Sequence, residues 1–453
     1  MSGRNMGVMG AAASSLSLLR LFSIVSLLVC SIFSTGATAQ GGKPLGLGAV
    51  LAGEKNLTTF YNLIQKFPDL LLQLPSLNGI TIVAPTNEAF ERIPLTSLNA
   101  IWKPDDASVV VPILQYHIVQ GQFPADAMVP GAPVFAPTLL TSPAWTNLTS
   151  GGQLVRADKQ PDGFVALTTG SGSRSDLVPL SDGKRDVPFS GGIVQACNNL
   201  LIPPTALNAT LTAYSDLSFL GALHAAGLYD EFATCGTAGN CTIFAPSVQA
   251  FRAVNSTLSS MSRDDLRKVL RYHLVPGQVL TSNLLLNGTV LKAPGEDQQL
   301  RVRRAGNYLY LNSAQVVQQD ILFANGIVHV LDNVLNAAAV QATPDPTRGT
   351  QAPVFRTDSA DAAMATVTEA SAINALPQPF TTALPCTSNC PAPTTTDGPS
   401  GAGASGPSRT STSAHQTSSS KAFAARCTAL PVQPAAAAAA ALVLGVGGYL
   451  GAM

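Results

Sequence analysis

The sequence predicts a tandem repeat of one mixed strand-and-helix unit, and three matched pairs of segments carry that prediction. ITIVAPTNEAFERI from Ile80 is echoed by CTIFAPSVQAFRAV from Cys241. LQYHIVQGQ (Leu114 to Gln122) is echoed by LRYHLVPGQ (Leu270 to Gln278), and GGIVQACNNLL (Gly191 to Leu201) by NGIVHVLDNVL (Asn325 to Leu335). The three pairs keep the same order, which chance similarity does not produce.

The first pair reads as a strand, a proline corner and a capped helix. Thr81 to Val83 and Thr242 to Phe244 have the β-branched and aromatic content of a buried strand. Pro85 and Pro246 end the pairing, because proline has no N–H to donate. Thr86 and Ser247 can then accept a bond from a free backbone N–H at the helix start. Phe90 and Phe251 follow one turn later and anchor that helix.

The second pair closes a helix. Leu266, Val269, Leu270 and His273 are spaced i, i+3, i+4, i+7, and Val110, Ile113, Leu114 and His117 repeat that spacing, so each histidine shares an apolar face. Ser262 with Asp265 resembles a capping box. Pro112 is expected near the first turn or at a kink. His117 and His273 read either as hydrogen-bonded core histidines or as metal ligands or catalytic bases. No HExxH, H-x-H or Cys/His cluster supports a zinc site, and no G-x-S-x-G elbow or Walker loop is present. GSGSR at Gly170 reads as a flexible loop, not a phosphate cradle.

The third pair sets the copy lengths. His117 and Gly192 are 75 residues apart, His273 and Gly326 are 53 apart, so the first copy carries about 22 more. Pro130 to Trp145, rich in proline and alanine, is expected among them.

Together, strand–Ala-Pro–Thr/Ser–helix, the Tyr-His pairs (Tyr116–His117, Tyr272–His273) and Gly-Ile-Val-His-Val-Leu-Asp resemble tandem fasciclin-like domains over roughly Pro44 to Asn336. The resemblance implies an α+β fold, two β-sheet wedges flanked by short α-helices, on extracellular adhesion or matrix proteins. It places domains at 44–203 and 207–337. In animal matrix members an Asp-Ile pair before the last motif is associated with integrin binding. Asp320-Ile321 matches it, and Asp186-Val187 matches more weakly. A polar turn residue leading an apolar strand is the plain alternative. Gln195 and Cys197 stand where the second copy has His329 and Leu331, which suggests that the first copy has diverged.

The remaining features point to the secretory route. Arg4 and Arg20 precede an apolar run, Leu21 to Phe33, followed by Ala37-Thr38-Ala39, the layout of a signal peptide over residues 1–39, with a retained membrane anchor as the alternative. Six Asn-x-Thr sequons, at Asn56, Asn147, Asn208, Asn240, Asn255 and Asn287, mark expected surface glycosylation sites. Cys235 and Cys241 flank CGTAGNC, where a local disulfide is expected in an oxidising compartment. Cys386 and Cys390 offer a second short pair, and Cys197 reads as a buried thiol. Net charge is zero, with 26 basic and 26 acidic residues and no basic stripe, against a nucleic-acid partner.

Residues 343–420 are rich in Pro, Ser, Thr, Ala and Gly and read as a disordered, O-glycosylated stalk. Residues 421–453 read as a glycosylphosphatidylinositol (GPI) attachment signal: Ser420 as the attachment residue, a spacer, then the weakly apolar tail Ala435 to Met453. A transmembrane helix is the alternative for that tail. The expected protein is a non-enzymatic surface glycoprotein acting in cell adhesion or matrix and cell-wall organisation, needing no cofactor, with surface proteins or glycans as partners. The alternatives are a structural spacer without a receptor and a small-ligand carrier.

Overall fold

The computed structural model describes residues 44–74, 79–148, 151–295, 298–359, 361 and 378–385, with backbone alone at 71–73 and 171. The leader, the Cys386–Cys390 pair, Ser420 and the tail lie outside the described residues. In the first repeat the helices are α1 (Leu47–Gly53), α2 (Thr58–Lys66), α3 (Pro68–Gln73), α4 (Asn87–Glu91) and α5 (Ala107–Tyr116). Its strands are β1 (Ile80–Pro85), β2 (Ile118–Gln120), β3 (Val134–Pro137), β4 (Leu154–Lys159), β5 (Val165–Thr168), β6 (Arg174–Val178), β7 (Val187–Phe189) and β8 (Gly192–Cys197). The second repeat has α6 (Leu207–Ala213), α7 (Leu217–Ala226), α8 (Tyr229–Ala233), α9 (Val248–Ala253), α10 (Asn255–Ser259) and α11 (Arg263–Arg271). Its strands are β9 (Cys241–Pro246), β10 (Leu274–Pro276), β11 (Val290–Lys292), β12 (Gln299–Ala305), β13 (Tyr308–Leu311), β14 (Ala314–Phe323) and β15 (Gly326–Leu331).

The two sheets have one topology. Strand order is β2-β1-β8-β6-β5-β4-β3 in the first, with β7 also on β8, and β10-β9-β15-β14-β13-β12-β11 in the second. Only β1/β8 and β9/β15 run parallel. These are the two repeated apolar motifs of each copy, and every residue of all four strands is buried. A strand covered on both faces needs a continuous apolar run rather than alternation. In β1, Ile80, Ile82 and Ala84 join the helical core while Val83 joins the core inside the wedge. In β9, Ile243 and Ala245 do the first and Phe244 the second.

The glycine that opens the third motif follows from this pairing. A Cβ on Gly192 would stand 1.9 Å from the Ile80 carbonyl oxygen, and one on Gly326 at 1.9 Å from that of Cys241. No other residue lets the parallel strands approach so closely.

The helix caps form as the sequence predicts: Thr86 accepts from Ala89 N–H, Ser247 from Ala250 N–H and Ser262 from Asp265 N–H. Phe251 is fully buried and Phe90 is half-buried against its core. Pro112 lies inside α5, not in its first turn, because Asp106 caps the helix and starts it at Ala107. Gly170–Gly172 is a short 3-10 turn tied by Gly170 N–H to the Ile202 carbonyl.

Two expectations need correction. Only the later part of Pro130 to Trp145 belongs to the extra residues of the first copy: Val134–Pro137 is strand β3, the counterpart of β11. They are spread over several loops, mainly 138–153 against 293–298, and 179–186, which splits β6 from β7 where β14 runs on through a bulge. Nor does a structureless stalk begin at Thr343. Residues 343–359, 361 and 378–385 lie on the second repeat, with Phe355, Phe380 and Leu384 against its helical core. Asp361 accepts from Ser256 N–H and Oγ–H, and Gln351 N–H donates to Asp332. Gly221 of α7 admits this strap, since a Cβ there would stand 2.2 Å from the Phe380 carbonyl oxygen.

Candidate functional site

Each Tyr-His pair is a closed set of hydrogen bonds. His117 Nδ1–H donates to Ile113 O at 2.7 Å and Nε2 accepts from Leu201 N–H at 2.9 Å. His273 does the same with Val269 O and Leu335 N–H, both at 2.9 Å. This assigns the neutral Nδ1–H tautomer, since Nε2 must accept. Burial depresses both histidines from the usual 6.5 to about 4. Tyr116 donates to Leu154 O at 2.8 Å and Tyr272 to Gln299 O at 2.5 Å, with Asn312 Nδ2–H donating to the Tyr272 oxygen. No nitrogen or hydroxyl is left for a ligand, so the pairs clamp the Tyr-His turn to the wedge and to the chain after the last motif strand.

The Asp-Ile pair is also internal, which corrects the expectation of a surface adhesion motif. Asp320 is 3 % exposed and Ile321 4 %. A bulge in β14 puts Asp320 in the left-handed region (φ 64°), and its Oδ1 accepts from Ser282 N–H at 2.7 Å. Asp186 does the equivalent work in the first repeat, accepting from Ala125 N–H at 2.9 Å and Gln195 Nε2–H at 2.6 Å. Gln195 keeps the hydrogen bond of its counterpart His329. Its Nε2–H donates to Phe123 O at 2.9 Å, as His329 Nε2 bonds Leu280 O at 2.8 Å. Both fix the segment after the Tyr-His strand, which also hangs on Thr81 and Thr242. Burial lowers the His329 pKa, opposed by Asp320.

Cysteines and sequons sort by burial. Cys235 and Cys241 form a disulfide with Cα atoms 5.4 Å apart. Cys197 is a buried free thiol, pushed up to about 12 by burial. Asn56, Asn147, Asn208 and Asn287 are exposed and Asn255 is half-buried. Asn240 is the exception at 6 % exposed, wedged beside the disulfide, its carbonyl accepting from Gly277 N–H. Non-reducing peptide mapping should therefore recover Cys235 and Cys241 as one linked fragment, with Asn240 unglycosylated and the exposed sequons occupied. A glycan on Asn240 in protein with the disulfide formed contradicts this packing.

The long loop of the first repeat makes a junction that the sequence did not announce. Thr146 Oγ–H donates to Ala324 O at 2.9 Å, and Gln153 Nε2–H to Phe323 O at 3.3 Å. Arg156 of β4 is paired with Asp158 and places Nη1 3.8 Å from Asp320 Oδ2. Asp216, at the start of α7, belongs to no motif: burial pushes its carboxyl up to about 8, opposed by Phe219 N–H. Among the described residues no group of three or more His, Cys, Asp or Glu could hold a metal. None of the described helices is long and apolar enough to cross a membrane.

A duplicated α+β wedge, its motif polar groups turned inward, defines a tandem-module protein of the fasciclin type. The fasciclin domain model matches residues 55–203 and 217–337, and the chain belongs to that family. A fasciclin-like arabinogalactan protein, elcF of Phaeosphaeria nodorum, is 28 % identical over 303 residues, covering 66 % of this chain and 91 % of that one. Another from Arthroderma benhamiae is 26 % identical over 66 % of this chain and 68 % of its own length. Transforming growth factor-beta-induced protein ig-h3 of Oryctolagus cuniculus is 27 % identical over 58 % of this chain and 34 % of its own. The solved FAS1 domain pair of insect fasciclin I has 19 % identity, covers 63 % of this chain and 98 % of its own, and has a TM-score of 0.29.

Proposed function

We propose that the chain is a secreted, cell-surface glycoprotein whose paired fasciclin domains act in adhesion or in matrix and cell-wall organisation. The observation that carries this reading is the match of both repeats to the fasciclin domain, in company with fasciclin-like arabinogalactan proteins and ig-h3. The leader pattern, the sequons and the Cys235–Cys241 disulfide support an extracellular location. The reading includes no catalytic activity and no cofactor, because the repeated histidines have no free nitrogen to offer a substrate. It also includes tethering of the C-terminal segment by a GPI anchor, with Ser420 as the attachment residue. Recognition then falls to exposed surface rather than to the motif residues. Beads coated with the purified chain should attach to the producing cells or their deglycosylated walls above an uncoated control. Attachment equal to the control leaves the spacer reading. Phosphatidylinositol-specific phospholipase should release the protein from intact cells, whereas peptides from Ala435 to Met453 in the mature protein contradict the anchor.

A further inference from the structure

Strand β12 of the second wedge carries three arginines, and their partners differ. Arg303 Nη1–H donates to Asn312 O at 2.9 Å and Ala342 O at 2.8 Å. Arg304 Nε–H donates to Leu285 O at 2.9 Å, and its Nη2–H to Ser282 O. Arg301, by contrast, has no hydrogen bond or ion pair from its guanidinium among the described residues, and its Nε is buried without a partner. All three line one cavity of about 460 Å³, together with Asn287, Tyr310 and Thr343, and among the described residues no carboxylate lines it.

Tyr310 supplies the second observation. It is 1 % exposed, lines the cavity, and its hydroxyl is buried without a hydrogen-bond partner. A buried hydroxyl in that state costs roughly 1–3 kcal/mol unless something else bonds it. The carboxylates that act on Tyr310 do not bond its hydroxyl: Asp332 accepts from Gln315 N–H and Gln351 N–H, and Asp345 from Thr347 N–H and Oγ–H. The cavity therefore presents an unpaired cation and a free hydroxyl, framed by two guanidinium groups fixed on backbone carbonyls. Fixed donors lose little freedom when an anion arrives, and a guanidinium fork suits a planar carboxylate or a sulfate ester. Tyr308 stands half-exposed (53 %) on the same sheet face, its ring centroid 6.5 Å from that of Tyr310. An exposed ring beside an anion site offers an apolar platform for the C–H face of a sugar.

We propose that this cavity binds an acidic saccharide, with Arg301 and Tyr310 bonding its carboxylate or sulfate and Tyr308 stacking on the ring. The proposal rests on the extracellular reading above. Its test uses purified protein in solution, so a failure here leaves that reading standing. Binding of oligogalacturonate, a heparin-derived hexasaccharide, maltohexaose and inorganic sulfate should be measured by calorimetry on the full chain. One or both acidic oligosaccharides should bind and maltohexaose should not, and the one preferred tells carboxylate from sulfate. Arg301→Gln should weaken that binding about tenfold or more, as loss of a charge-assisted bond does. Tyr310→Phe should weaken it several-fold with the melting temperature held. The proposal is overturned if neither acidic saccharide binds, if Arg301→Gln changes nothing, or if inorganic sulfate binds as tightly as the oligosaccharides.

Discussion

Replacing His273 with alanine is expected to destabilise the second fasciclin domain by about 3 kcal/mol or more. The substitution leaves Val269 O and Leu335 N–H without their partner in a buried site, and each orphaned group costs roughly 1–3 kcal/mol. The vacated ring volume adds a cavity cost. For a domain of this size each kcal/mol lowers the melting temperature by roughly 2–4 °C, so a drop of several degrees should appear in calorimetry. His117→Ala should act alike on the first domain, because its ring bonds the equivalent two backbone groups. A His273→Ala chain that melts as wild type but no longer attaches to surfaces would show that the ring serves recognition.

The same rings make the protein acid-sensitive. Both histidines are held near 4 in the folded state, against 6.5 when exposed. Between those values the unfolded chain binds more protons, so stability falls as pH drops through 6.5 toward 4 and is fully present above 6.5. Each ring contributes about 3 kcal/mol over that window. Asp216 has the opposite sign. Raised to about 8 by burial, it binds more protons when folded, and it offsets part of the loss as pH falls. His329, also lowered by burial, adds to the decline and Asp332, also raised by burial, to the offset, so three rings against two carboxyls leave a net decline. The melting temperature should drop from pH 7 to pH 4.5, and His273→Ala should flatten the dependence. A wild-type curve flat over that range contradicts the assignment of neutral buried rings.

What was legible in the sequence was local. The strand, proline corner and capped helix at Thr86 and Ser247 depend on neighbours within four residues, and they form as read. The apolar helix face with its histidine is likewise set by spacing along one helix. Asp320 shows where such reading stops. Its carboxylate is buried because a bulge in β14 turns it inward beneath Ser282, and nothing in Asp-Ile encodes that bulge. Gln195 looked like a departure from His329, yet an amide N–H reaches the same loop carbonyl as an imidazole. The strap after Asn336 was hidden by its composition. Phe355, Phe380 and Leu384 are few among prolines, threonines and alanines, and only their meeting with the core reveals them. The contact between Arg156 and Asp320 joins residues of different repeats, which no local pattern contains.

The motif residues thus brace each wedge, and the proposed function leaves recognition to the exterior. The most direct test is bead attachment by the full chain carrying Asp320→Asn. The amide keeps an oxygen for Ser282 N–H and removes the charge facing Arg156, so a moderate loss of stability is expected with the fold retained. Attachment at a temperature well below the variant's melting point should equal that of wild type. Attachment lost while melting and circular dichroism stay native would contradict the account, because it would place a buried carboxylate at the recognition surface.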